Sequence, residues 1–261
     1  MELEHAADIA ERAAREAGQI LEEWAVKFTA REKSRSNLVT EADFAAQTAI
    51  HQILSRSFPE HGFLGEEGLL QPAAGGEYRW IIDPLDGTGN YVHRFPYYCV
   101  SIALECRNEL VAGVVFDPNR NEMFRAIKGS GTTLNGTRVS VSDYDTLSES
   151  MVVASLPVAV SGDDPAVLRF LKVMPVAQSL QRTGSAALNL CYVAAGRMEG
   201  YWSTSLKPWD MAAGVLLVEE AGGRVSRTDG SAFDVEVADL LATNGKTLHA
   251  QLQQLLQSPD S

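Results

Sequence analysis

Two aspartates three positions apart, Asp83 and Asp86, sit in the stretch Trp80-Ile81-Ile82-Asp83-Pro84-Leu85-Asp86-Gly87-Thr88-Gly89-Asn90. At the end of a strand their oxygens can converge on one small volume, and converging carboxylates suit a hard cation such as Mg²⁺. Gly87 and Gly89 leave backbone N–H groups free to point at phosphate oxygens. The stretch reads as a metal-phosphate site, with an ordinary Asp-Pro, Asp-Gly surface turn as the alternative. Two other Asp-rich motifs fail on spacing. An EF-hand loop counted from Asp83 needs Glu at its twelfth position, where Arg94 stands. An aspartyl-phosphate phosphatase reads Asp-x-Asp-Gly-Thr, but Pro84 stands two before Asp86, so the covalent nucleophile of that class is missing. Metal-activated water is the chemistry that remains.

Three further acids are candidates for the same cluster, each with a structural alternative. Glu66, in Gly65-Glu66-Glu67-Gly68, is either a third carboxylate or part of a solvated loop. Asp43 follows Thr40 in a near capping box, so it either serves chemistry or satisfies a helix-end N–H. Asp210 opens a helix, where the macrodipole favours it, or completes the metal set. Gly184 and Ser185, ahead of another helix, either offer N–H groups to a substrate or cap it.

These residues need a scaffold, and 261 residues suffice for one large domain or two closely packed halves. We expect an amphipathic helix over 5–27, then a basic loop with Lys33, then a helix from Thr40 to about Phe58. The Trp80–Ile82 strand should stop at Pro84, which cannot continue a ladder. Strands are expected at 98–105, 110–116 and 123–126, with Arg107-Asn108 as a tight turn. Polar residues 142–150 mark a soft boundary between an N-terminal half, 1–145, and a C-terminal half, 146–261, packed as one unit. Beyond it come a strand at 151–155, a helix at 165–171, a strand at 173–177, and helices at 186–195 and 211–221. Strands at 198–202, 224–225 and 240–243 and a last helix from Thr247 complete the chain.

Composition excludes several classes of partner. A net charge of −12 argues against nucleic acid, whose phosphates call for clustered Lys and Arg. An acidic protein that binds an anionic ester needs a cation between the two. The three cysteines lack Cys-x-x-Cys spacing and read as reduced. No apolar run approaches the roughly 20 residues that cross a bilayer, and the polar opening Met1–His5 suggests a cytoplasmic protein without membrane contact.

Five pieces resemble the motifs of the inositol monophosphatase family of magnesium-dependent, lithium-sensitive phosphatases, in that family's order and spacing. They are Leu38-Val39-Thr40-Glu41-Ala42-Asp43, Gly65-Glu66-Glu67, Asp83 to Asn90, Gly184-Ser185-Ala186-Ala187 and Trp209-Asp210-Met211-Ala212-Ala213-Gly214. The likeness covers nearly the whole chain. It implies an α/β fold, a layered αβαβα sandwich with metals where the halves join, and a homodimer. It implies that Glu66, Asp83 and the Leu85 carbonyl hold one Mg²⁺, that Asp83, Asp86 and Asp210 hold a second, and that Glu66 helps place a third. Gly87 and Thr88 N–H groups would grip phosphate, and Thr88 with Asp43 would deprotonate the attacking water. Gly184, Ser185, Ala186 and Ser203 would contact substrate, and Lys33 would be the basic residue of the family's loop. One position departs from the pattern: many members carry, seven residues before the last Asp, a Glu that contacts inositol hydroxyls, and here it is Ser203. The expected reaction is hydrolysis of inositol 1-phosphate. Fructose 1,6-bisphosphate, histidinol phosphate or a 3′-phosphonucleotide are alternative small phosphate esters, and a non-catalytic metal-dependent binding protein is the third reading.

Overall fold

The computed structural model describes residues 3–27 and 41–257, so Lys33 and Thr40 lie outside the described residues. The first sheet contains β1 (Gly62–Gly65), β2 (Leu70–Gln71), β3 (Tyr78–Asp86), β4 (Cys99–Cys106), β5 (Glu109–Asp117), β6 (Glu122–Ile127), β7 (Gly131–Leu134) and β8 (Thr137–Val139). Their order is β2-β1-β3-β4-β5-β6-β7-β8, antiparallel except for the parallel β1–β3 pair. Arg107 and Asn108 both take positive φ, 51° and 66°, which matches the right-handed twist of the β4–β5 hairpin.

β3 runs further than its sequence suggests. The ladder to β4 passes from Asp83↔Ser101 to Asp86↔Cys99, so Pro84 and Leu85 stand together opposite Val100. Pro84, which has no N–H to give, is absorbed in a bulge instead of ending the strand.

The second sheet holds β9 (Met151–Ala154), β10 (Ser179–Gln181), β11 (Gly200–Ser203), β12 (Arg224–Ser226) and β13 (Leu240–Thr243), in the order β10-β9-β11-β13-β12. The strand expected at 173–177 does not form. Val173 is the buried last residue of a helix, and the N–H groups of Val176 and Ala177 fold back to its carbonyl. Pro175, without an N–H, suits this turn better than a ladder.

Seven helices complete the described residues: α1 (Leu3–Lys27), α2 (Glu41–Ser57), α3 (Thr88–Val92), α4 (Pro165–Val173), α5 (Ala186–Ala194), α6 (Pro208–Glu220) and α7 (Thr247–Gln257). Three buried clusters define an αβαβα sandwich. The first packs the alanine-rich face of α1, with Ile50 and Leu54 of α2, on Trp80, Ile82 and Ile102 of the first sheet. The second fills the space between the sheets with α5 and α6. The third packs Val173 of α4 and Leu248, Leu252 and Leu256 of α7 on Val152, Trp202 and Leu241. α6 is buried throughout Met211–Val218, as an apolar helix between two sheets must be. No helix of the described residues is long and apolar enough to cross a membrane.

His249 locks α7 to the second sheet. Its ring is 1% exposed and bonds Ser226 Oγ and Thr243 Oγ1, both at 2.9 Å. Ser226 donates its own proton to the Arg227 carbonyl, which leaves His249 Nε2–H as the donor to Ser226. Burial, helped by Arg224, pushes its pKa down to about 4. Below the unfolded value of about 6.5 the unfolded chain takes up a proton that the folded one refuses, so this stability is lost as pH falls. In urea titrations we expect wild type to lose about 2 kcal/mol between pH 7 and pH 5 through this group. His249→Gln should start less stable at pH 7 but lose less on acidification, and equal losses would show that His249 is not responsible.

Candidate metal centre

The acids reach one place from different elements. Asp83 comes from the last regularly paired position of β3, and Asp86 from just beyond the bulge. Gly87 then adopts φ 98°, a conformation suited to glycine, and turns the chain into α3. Asp210 comes from the first turn of α6, across the join between the sheets. One carboxylate oxygen from each of Asp83, Asp86 and Asp210 lies within 4.8 Å of the others.

Each of these carboxylates has one oxygen fixed by donors. Asp83 Oδ1 accepts from the Leu85 N–H at 3.0 Å, and Asp210 Oδ2 from the Lys207 N–H at 2.7 Å. Asp86 Oδ2 accepts from the Ser185 hydroxyl at 2.6 Å, the Ala187 N–H at 2.7 Å and the Cys99 thiol at 3.8 Å. Asp86 Oδ1 accepts only the longer Ala186 N–H bond, at 3.2 Å. With three donors on Oδ2, the side of Asp86 left for a cation is Oδ1. Ser185 also accepts from the Leu188 N–H at 3.3 Å, so it caps α5 while its proton goes to Asp86. Of the two readings of Ser185 the cap is the one observed, its hydroxyl adds a bond to Asp86, and the Ala186 and Ala187 N–H groups are turned to Asp86 as well.

Glu66 follows β1, where its N–H extends the ladder to the Ile82 carbonyl at 3.2 Å, and its carboxyl shares a hydrogen bond with Asp83. Asp43 is fully buried on α2, close enough to raise both Glu66 and Glu67. Thr88 donates its hydroxyl to the Leu85 carbonyl at 3.1 Å. Ser203 is buried at the end of β11, with Ser205 Oγ 3.4 Å away. Three neighbours of the site were not assigned a role from sequence. Cys99 reaches Asp86 through strand register, and Asn90 binds the Thr183 carbonyl at 2.8 Å. Gln47 pairs with both backbone groups of Glu67, and its place one helical turn after Asp43 was the only clue.

Crowded acids resist ionisation. Burial, then repulsion from Glu66, Asp86 and Asp210, raises Asp83 well above the carboxylate range. Asp86 is raised by burial, against the bonds from Ser185, Ala187 and Ala186. Burial and Asp86 push Asp210 up to about 8, while burial raises Glu66 to about 6 and Glu67 to about 7. A cluster of hard oxygen donors that repel one another fits a divalent cation, which reverses each of these shifts. A separate groove of about 1060 Å³ at the far end of α6, beside Glu219 and Glu220, contains none of these acids.

A layered αβαβα sandwich with an acid cluster between its two sheets, able to hold metal, is the architecture of a class of metal-dependent phosphomonoesterases. The chain belongs to the inositol monophosphatase family, which it matches over residues 2–260. It is 41% identical to an inositol-1-monophosphatase of Synechocystis over 95% of this chain and 88% of the relative. It is 38% identical to a protein of Vibrio cholerae named Nus factor SuhB, over 97% of each. The solved inositol monophosphatase of Anabaena superposes with a TM-score of 0.88 at 38% identity, covering 99% of this chain and 98% of that one.

Because the folded protein keeps protons on these carboxyls that the unfolded chain releases above about pH 4, stability without a cation falls as pH rises towards 8. In chelator, Asp210→Asn should therefore melt above wild type at pH 8.5, by about 5 °C, with the gap narrowing at pH 5. Excess Mg²⁺ should reverse that order, and melting that responds to neither pH nor cation would count against a metal centre.

Proposed function

We propose that the chain hydrolyses inositol 1-phosphate to inositol and phosphate with Mg²⁺ and a water activated at this cluster. The observation that carries the reading is the convergence of three carboxylates, one oxygen of each within 4.8 Å of the others and each oriented by backbone N–H donors. Glu66, Asp83 and the Leu85 carbonyl would hold one ion, Asp83, Asp86 and Asp210 a second, and Glu66 would help place a third. Mg²⁺ bound there lowers the pKa of water and offsets charge on the entering and leaving oxygens of an in-line displacement.

The chain supplies the rest. Gly87 and Thr88 present N–H groups to the phosphate oxygens where β3 gives way to α3. The Thr88 hydroxyl turns from the Leu85 carbonyl to Asp43, passes on a proton from the water, and leaves that carbonyl for a cation. A phosphoryl transition state asks for positioning and charge compensation more than a covalent partner, and these residues offer both. On the leaving-group side, Ser203 puts a neutral hydroxyl where many family members have a carboxylate. The missing carboxylate relaxes the preference for inositol, so fructose 1,6-bisphosphate, histidinol phosphate and 3′-phosphonucleotides are the alternative esters.

We read the protein as a cytoplasmic homodimer, its two halves forming one working unit. The name Nus factor on the Vibrio cholerae relative favours a second role beside hydrolysis. A charge of −12 disfavours direct contact with a phosphate backbone, so a protein partner is the form such a role would take here.

The test is phosphate release from inositol 1-phosphate and the three alternative esters, each with Mg²⁺ and with chelator, and with Li⁺ as inhibitor. We expect turnover of inositol 1-phosphate that needs Mg²⁺ and falls at least about 100-fold in Asp83→Asn. A preference for another ester keeps the mechanism and makes Ser203→Glu the next variant to assay. Turnover of none of the four overturns the proposal.

A further inference from the structure

Asp86 belongs to the first sheet, but the groups that hold it come largely from α5. Asn90 ties the two together. It gives one amide proton to the Tyr97 carbonyl at 2.7 Å and the other to the Thr183 carbonyl at 2.8 Å. Thr183 and Tyr97 meet again on Asn189 of α5, whose Oδ1 accepts their hydroxyls at 2.6 and 2.9 Å. The four residues close a ring of hydrogen bonds across the join. Gly184 passes beside it with φ 93°, and a methyl group there would lie 2.9–3.2 Å from the Asn90 amide. The chain is held close to Asn90 at this point, and the next residues are Ser185, Ala186 and Ala187, the donors to Asp86.

We propose that Asn90 is a positioning residue for Asp86. By gripping the Thr183 carbonyl it seats the N-terminus of α5 on Asp86, which occupies Oδ2 and leaves Oδ1 towards the cation site. Both amide protons are used, so a side chain without them cannot make the same clamp. Asn90 touches neither cation nor substrate in this assignment, and its effect travels through Ser185 and the two N–H groups. The inference rests on the metal-centre reading given above.

The test is Mn²⁺ uptake by metal-stripped protein, followed by the electron paramagnetic resonance of free Mn²⁺, together with melting temperatures. Wild type, Asn90→Ala, Thr183→Val, Ser185→Ala and the Asn90→Ala/Ser185→Ala double variant are compared. We expect Asn90→Ala to weaken Mn²⁺ binding about tenfold or more, as loss of groups that orient metal ligands does. Thr183→Val, which keeps the gripped carbonyl and loses only the hydroxyl, should weaken it less. The double variant should bind no worse than the weaker single one, because both changes act through Asp86. In turnover, the cation concentration for half-maximal rate should rise more than KM for the ester. A lower melting temperature with unchanged Mn²⁺ affinity, or losses that simply add, overturns the inference. Should Asn90→Ala fail to fold, Asn90→Leu, of similar size but without the amide protons, takes its place, and wild-type affinity in that variant overturns the inference. Wild type that takes up no Mn²⁺ overturns the metal-centre reading and this inference with it, whereas wild-type uptake with an unaffected Asn90→Ala overturns this inference alone.

Discussion

Repulsion among buried carboxylates is the constraint to which the rest of the molecule answers. Asp83 and Asp86 are nearly inaccessible, Asp210 faces them, and Glu66 stands at the rim. Removing one carboxylate from water is expensive, and removing several to the same place is worse. The chain has two remedies, protons and fixed donors, and the raised pKa values show that the donors alone are not enough. Such a cluster is unfavourable for stability in itself, and a cation held there would offset it.

The donors come from a part of the fold that has little polar character elsewhere. α5 and α6 form the middle layer, buried against both sheets and apolar around most of their circumference. At their N-termini the backbone N–H groups have no partners within the helix, and those of α5 meet Asp86. Asp210 uses the same geometry in reverse, since its carboxylate accepts the Lys207 N–H at the start of α6. The apolar bodies of the helices fix their ends in place, and the ends supply the electrostatics. This division accounts for a site assembled from β3 and α6, elements far apart in the chain.

Much of this was legible in sequence because it follows from local rules. The strand–turn stretch around Asp83, the Arg107-Asn108 hairpin, the α1 periodicity and Asp210 in the first turn of a helix all follow from residue type and spacing. What could not be read belongs to long-range packing. Ser185 was open to two readings, a cap or a ligand contact, and only the approach of Asp86 from 99 residues away reveals its second bond. Cys99 looked like one more apolar strand residue until register placed it opposite Asp86. The strand expected at 173–177 failed because β-branched residues mark burial as readily as a strand, and Val173 is buried as the end of α4.

Pro84 joins these levels. In a regular strand, residues three apart point to opposite faces of the sheet, so Asp83 and Asp86 would be separated by the backbone. A bulge that sets two residues against one shifts the alternation by one place and returns Asp86 to the side of Asp83. Proline suits the bulged position because the ladder asks nothing of its missing N–H. The Leu85 N–H, also outside the regular ladder, then binds Asp83 Oδ1, and its carbonyl accepts from Thr88. The irregularity expected to end the strand is what brings two carboxylates, a carbonyl and a hydroxyl to one point. A substitution that restored regular pairing there would strengthen the ladder and turn the acids away from each other.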